Sequence, residues 1–291
     1  MTRNLIELCE GYLAYVRSGF KQKEGEVLAC HLMESGFMAH AEALSNFLGS
    51  GEGLFSSGRH VVGMSAYYIS TTVPKSTDNG VVWFDPIGLD FLIRTESNPL
   101  GTGAGVTVWI CTQPVTLWQY LVFLKLAIFS IRDDGFLEVD DLLNGRFFGD
   151  ADADIVGNVY HDEAKAYVAW QGKQLVSHFD LKTALIQLPY STFEAMLPAG
   201  LSVWNGSIGR EDKRLVVNAS KLESMNEEAR KNIAKSDSSS IFIGECEEWY
   251  RAPEIGILPC VIDSVGLQRT LTSDREVGER IVLHNLISCV A

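Results

Sequence analysis

Gln113-Pro114-Val115-Thr116-Leu117-Trp118-Gln119-Tyr120-Leu121-Val122-Phe123-Leu124 is the stretch from which the fold is read. Proline suits a first helical turn, where its missing N–H is not needed. Thr116 reads as the N-cap or first-turn residue. Tyr120, Phe123 and Leu124 then fall on one face of a helix. The apolar run extends from Leu117 to Ile131, fifteen residues that include Gln119 and Lys125. A membrane span needs about 20 predominantly apolar residues, so the run reads as a buried core helix.

Upstream, Val81 to Arg94 (VVWFDPIGLDFLIR) reads as two short strands around Pro86-Ile87-Gly88. A loop over 95–105 follows, then a strand from Val106 to Cys111. Before these, residues 2–18 and 24–48 read as two helices. The second carries Val27, Leu28, Met33, Phe37, Ala41, Leu44 and Phe47 at helical spacing, and Gly49 and Gly51 end it. Residues 60–73 read as strand, and Lys75 to Gly80 as a polar turn that marks a soft boundary. Downstream, Asp162 to Trp170 reads as a helix with Ala164, Tyr167, Val168 and Trp170 on its apolar face. Residues 215–240 read as an exposed helix or mobile loop. Gly244 to Tyr250 and Gly278 to His284 read as the last ordered elements.

Composition narrows the function classes. With 46% hydrophobic and 21% charged residues, the 291-residue chain can build a sizeable core. Its 26 glycines and 8 prolines suit a loop-rich α+β protein better than a helical bundle. A net charge of −13 disfavours nucleic acid as a partner. The six cysteines make no C-x-x-C pair, and residues 1–10 hold no apolar signal core. The expectation is a cytoplasmic protein with reduced thiols and no membrane association.

Six segments, in order, resemble the formylglycine-generating-enzyme or sulfatase-modifying-factor family. Val81 to Ile93 is similar to its opening strand pair. Gln113 to Leu124 resembles P-V-T-N-x-Q-Y-x-x-F. Val156 to Trp170 (VGNVYHDEAKAYVAW) resembles V-x-x-V-s-W-x-D-A-x-A-Y-x-x-W, and Gly172-Lys173-Gln174-Leu175 resembles G-K-R-L. Gly244 to Trp249 (GECEEW) resembles G-N-V-W-E-W, and Val277 to Val282 the closing G-F-R. The resemblance implies an irregular α+β domain of C-type-lectin-like fold over 78–291. A small N-terminal helical and strand region, 1–77, precedes it.

The departures bear on chemistry. Oxidases of that family bind copper(I) through two cysteines five positions apart, as soft thiolates suit that ion. Here Cys260 stands at the first position and Val265 at the second. Related sulfoxide synthases bind iron through H-x-x-x-H-x-E, whereas His31 and His40 stand nine apart with no such motif. The family's structural calcium site, built on an asparagine and a glutamate, would fall on Glu245 and Glu248; the asparagine is replaced here, so the resemblance admits calcium as a cofactor without favouring it.

Other acid-base groups have simpler readings. Asp150, Asp152 and Asp154 alternate as calcium ligands can, but lack the EF-hand glycine and glutamate, so a solvated loop is expected. Asp162 and Glu163, next to His161, complement a helix dipole. His178 and Asp180 are a candidate acid-base pair without a nucleophile at recognisable spacing. Arg280 reads as an ion-pair partner. Cys260 and Cys246 read as small buried hydrophobes. The function expected is a non-catalytic binding or scaffold protein, a pseudo-enzyme that recognises another protein. The alternative is a metal-dependent oxidoreductase acting on a thiol or peptide substrate through Cys260.

Overall fold

The computed structural model describes residues 3–50, 78–97, 106–128, 155–157, 159–197, 201–204, 206, 214–216, 228 and 255–262. The chain mixes helices with a mainly antiparallel sheet, an α+β arrangement. The strand read over 60–73, Asp150, Asp152, Asp154, Glu245, Cys246, Glu248, Val265 and Arg280 lie outside the described residues. So do the segments read over Gly244–Tyr250 and Gly278–His284.

Helix α1 runs Arg3–Arg17. The single helix expected over 24–48 is two, α2 (Gln22–Glu34) and α3 (Met38–Gly49). The break is built by Ser35-Gly36-Phe37. Gly36 N–H returns to Met33 O at 3.1 Å and Phe37 N–H to Leu32 O at 2.8 Å, the two-bond closure of a Schellman motif. The break resets the helical phase. Val27 and Met33, expected on the apolar face, are about half exposed, whereas Leu28, expected there too, is buried together with Ala29 and Leu32.

Strand β1 (Val82–Asp85) pairs antiparallel with β2 (Asp90–Ser97), and β2 with β3 (Val106–Cys111). Helix α4 (Leu117–Phe123) starts at the expected Thr116. It is shorter than the apolar run suggested, because Leu124–Ile128 forms a π-helical turn. Helix α5 spans His161–Trp170. It is followed by β4 (Gln174–Leu175), α6 (His178–Gln187) and α7 (Tyr190–Met196). Then come β5 (Ser202–Trp204), β6 (Arg214–Val216), β7 (Ile255–Gly256) and β8 (Pro259–Ile262).

The larger sheet has the order β1-β2-β3-β8-β4, so late strand β8 enters between β3 and β4. Ile110 and Gln174 flank Cys260 in register. The smaller sheet runs β6-β5-β7, with β5 antiparallel to β6 and parallel to β7.

Among the described residues, two apolar clusters fill the interior. One unites α1, α2 and α3 with α4 and α5, through Leu8, Tyr12, Leu28, Trp118 and Tyr167 among others. The other packs β2, β3 and β8 against α6, α7 and β5. Tyr12 meets Trp118 edge to face at 5.5 Å, and Phe37 meets the same indole at 5.7 Å. Such pairs add about 0.5–1.5 kcal/mol beyond area burial. The N-terminal helices therefore share the first of these clusters with α4 and α5. No described helix is long and apolar enough to cross a membrane.

Candidate functional site

The polar centre of the molecule is a buried charge cluster built on the turn Asp85-Pro86-Ile87-Gly88-Leu89-Asp90. Asp85 ends β1 and Asp90 begins β2, so the tight hairpin brings both carboxylates to one place. Asp85 Oδ1 accepts the Ile87 N–H at 3.0 Å, closing the turn from within. Leu89 adopts a left-handed backbone (φ 56°) and is fully buried. A branched residue in that region costs about 1–2 kcal/mol, which the packing around it offsets.

Lys173 enters this turn from across the fold. Helix α5 ends on Gly172 (φ 71°), whose N–H returns to Ala169 O while Lys173 N–H returns to Val168 O. That Schellman closure turns the chain inward. The Lys173 ammonium then lies 2.9 Å from Asp85 Oδ2 and donates a short hydrogen bond to Asp90 Oδ2. Its alignment with Asp85 Oδ2 is not that of a hydrogen bond, so that contact is coulombic. Both Lys173 and Asp85 side chains are wholly withdrawn from solvent. Gly88 leaves the room: a Cβ there would sit 2.7 Å from Lys173 Nζ and 2.8 Å from an oxygen of each carboxylate.

Burial alone would lower the lysine pKa. Asp85 and Asp90 outweigh it and hold Lys173 well above the ordinary lysine value. The ammonium is charged at neutral pH.

Gln119 connects the cluster to helix α4. Its Oε1 accepts from Thr116 N–H at 2.9 Å and from Thr116 Oγ1 at 2.7 Å, forming the helix's capping box. Its Nε2 donates to Gly88 O at 2.8 Å and Asp90 Oδ1 at 2.7 Å. Tyr12 on α1 adds a hydrogen bond from its hydroxyl to Ile87 O at 2.8 Å. One six-residue turn is thus held by α1, α4 and the end of α5.

Beside the cluster lies a recess lined by His40, Asp90, Phe91, Cys111, Thr112 and Gln119, with room for about one water. His40 packs on Phe91 at 5.0 Å, and burial lowers its pKa against an opposing pull from Asp90. The neighbouring Cys111 thiol is pushed well up by burial and by Asp90.

Cys260, the sequence-level candidate, sits on β8 in the sheet interior and is fully buried. Its Sγ donates to Leu175 O at 3.6 Å. Burial, reinforced by Asp180, raises its pKa well above the ordinary thiol value. Such a thiol is protonated and a weak nucleophile.

His178 and Asp180 do not form the acid-base pair considered from the sequence. Asp180 Oδ2 accepts from Ser177 N–H at 3.0 Å and from Ser177 Oγ, a helix cap, while the His178 ring lies against Phe179. His161 is buried against Trp204 at 5.3 Å, and Glu163 caps α5 by accepting Tyr160 N–H at 2.8 Å.

Asp85, Asp90, Gln119 and Lys173 were not legible as a group. The available signals were two aspartates bracketing Pro-Ile-Gly-Leu, and a lysine directly after a helix-ending glycine. Compared with known proteins, the chain matches no family model, and no curated protein or solved structure resembles it significantly.

Proposed function

We propose that the chain is a non-catalytic binding or scaffold protein on a formylglycine-generating-enzyme-like frame of the C-type-lectin class, recognising a protein partner. The observation that carries this reading is the state of Cys260. It is the single thiol at the place of the family's copper pair, and it is sealed in the sheet, protonated and hydrogen-bonded to Leu175 O. A copper(I) thiolate needs an accessible, deprotonated sulfur.

The frame is supported by the way the resembling segments interlock. Gln119 of the P-V-T-L-W-Q segment, Lys173 of Gly-Lys-Gln-Leu and the 85–90 turn of the strand pair meet in one buried network. Those residues serve architecture. A shared frame does not bring chemistry with it, and a compact base that presents loops suits recognition. A protein is a better ligand than a sugar, because the sequence lacks the calcium-site triplets of sugar-binding lectins.

The test is purification from the native host with metal analysis. A protein that co-purifies stoichiometrically and rebinds as a pure component supports the reading. Stoichiometric copper or iron that disappears in Cys260→Ala overturns it in favour of a metal-dependent oxidoreductase.

A further inference from the structure

His31 is seated in a notch on α1. A Cβ placed on Gly11 would come within 2.8 Å of His31 Cδ2, closer than such atoms approach. Only a residue without a side chain leaves room for the ring. A glycine inside a helix costs about 0.5–1 kcal/mol relative to alanine, and here it lets the imidazole of α2 lie against α1. The ring's Nδ1 is shielded from solvent and makes no hydrogen bond.

Two carboxylates converge on that ring from different helices. Glu34 stands one turn beyond His31 on α2, and its Oε2 is 3.8 Å from His31 Nδ1. Glu7 stands one turn before Gly11 on α1. One ligand atom from each of Glu7, His31 and Glu34 lies within 4.8 Å of the other two. The side chains of His31 and Glu34 are 25% and 65% exposed, so the cluster has an open side toward solvent.

We propose that Glu7, His31 and Glu34 form a binding site for a divalent transition-metal ion of the zinc class. One imidazole and two carboxylates are a ligand set that zinc and its neighbours accept, whereas magnesium prefers oxygen alone. Ligands held ~2.0–2.2 Å from a tetrahedral zinc lie ~3.3–3.6 Å apart, so small rotations of the two glutamates close the site. A fourth position is left for water on the open side. Two carboxylates balance the ion's charge. The ion would tie α1 to α2 and stabilise the folded chain by linkage. The site involves neither Cys260 nor the cluster around Lys173, and it does not rest on the family resemblance.

Titration of the full chain with zinc chloride, and separately with magnesium chloride, tests this by calorimetry and thermal unfolding. Zinc is expected to bind and raise the melting temperature, and magnesium at equal concentration to do neither. His31→Ala and Glu34→Gln should each weaken zinc binding by about tenfold or more. Glu34→Gln changes an exposed side chain, so it remains informative if His31→Ala does not fold. Gly11→Ala should also weaken binding, because its methyl displaces the imidazole, although alanine is the better helix former. Absence of zinc binding, equal response to magnesium, or wild-type affinity in Glu34→Gln would overturn the proposal.

Discussion

Lys173 Nζ and Asp85 Oδ2 lie 2.9 Å apart with both side chains fully removed from water. Asp90 completes the set from the other end of the same turn. The pairing joins the end of α5 to the β1–β2 hairpin and so ties a helix to the sheet.

Lys173→Met removes the cation and leaves two carboxylates buried together. Breaking a buried pair costs about 3–5 kcal/mol, a large share of a typical domain's stability. Urea denaturation should show the midpoint fall accordingly, with the slope retained. A loss below about 1 kcal/mol would mean that water reaches the cluster.

Gln119→Ala should cost about 3 kcal/mol, because it strands the Thr116 N–H and the Gly88 carbonyl in the interior, at about 1–3 kcal/mol for each group. Gln119→Glu should be worse at neutral pH, since it faces a second carboxylate toward Asp90 Oδ1, now 2.7 Å from the amide nitrogen. Mild acid should recover part of the loss in Gln119→Glu and none in Gln119→Ala. Thermal unfolding of the two variants across pH separates these outcomes.

Alkaline pH should drain stability. Burial raises the pKa values of the Cys111 and Cys260 thiols and of the Tyr12 and Tyr167 phenols. Lys173 is also held high, with Asp85 and Asp90 outweighing burial. Every one of these groups keeps its proton longer when folded than when unfolded. Above its ordinary pKa the unfolded chain therefore binds fewer protons, and stability falls as pH rises. The decline should begin near pH ~8.5 with the thiols, at up to about 1.4 kcal/mol per pH unit for each group. It should steepen above pH ~10 as the tyrosines and Lys173 join. Denaturation at stepped pH measures the slope, and Cys260→Ala should flatten its first part. A stability unchanged to pH ~10 would contradict the burial of these groups.

Cys260→Ala should cost about 1 kcal/mol from lost packing volume. Cys260→Asp should cost several times more, because it would bury a carboxylate among apolar neighbours. Peptide-mapped thiol labelling should modify exposed Cys30 quickly and Cys9, Cys111 and Cys260 only on unfolding. Fast labelling of Cys260 in the native chain would identify it as a reactive thiolate.

The sequence by itself determined the local elements whose causes are local. Pro114 and Thr116 start α4, the short apolar runs either side of Pro86-Ile87-Gly88 make a hairpin, and Ala164, Tyr167 and Val168 mark the buried face of α5. It also contained the break between α2 and α3, but Gly36 was overridden by an apolar spacing that runs through it. Tertiary structure alone decided which charges meet. Partners such as Lys173 and Asp85 follow no sequence period, nor does the approach of Glu7 to His31, and each comes about only when separate helices and strands pack. It likewise decided why Gly88 and Gly11 carry no side chain, because the atoms their Cβ would strike belong to distant segments. Backbone preferences and hydrophobic periodicity act over a few neighbouring residues, whereas a buried charge or a ring in a notch is specified by whatever the fold brings beside it.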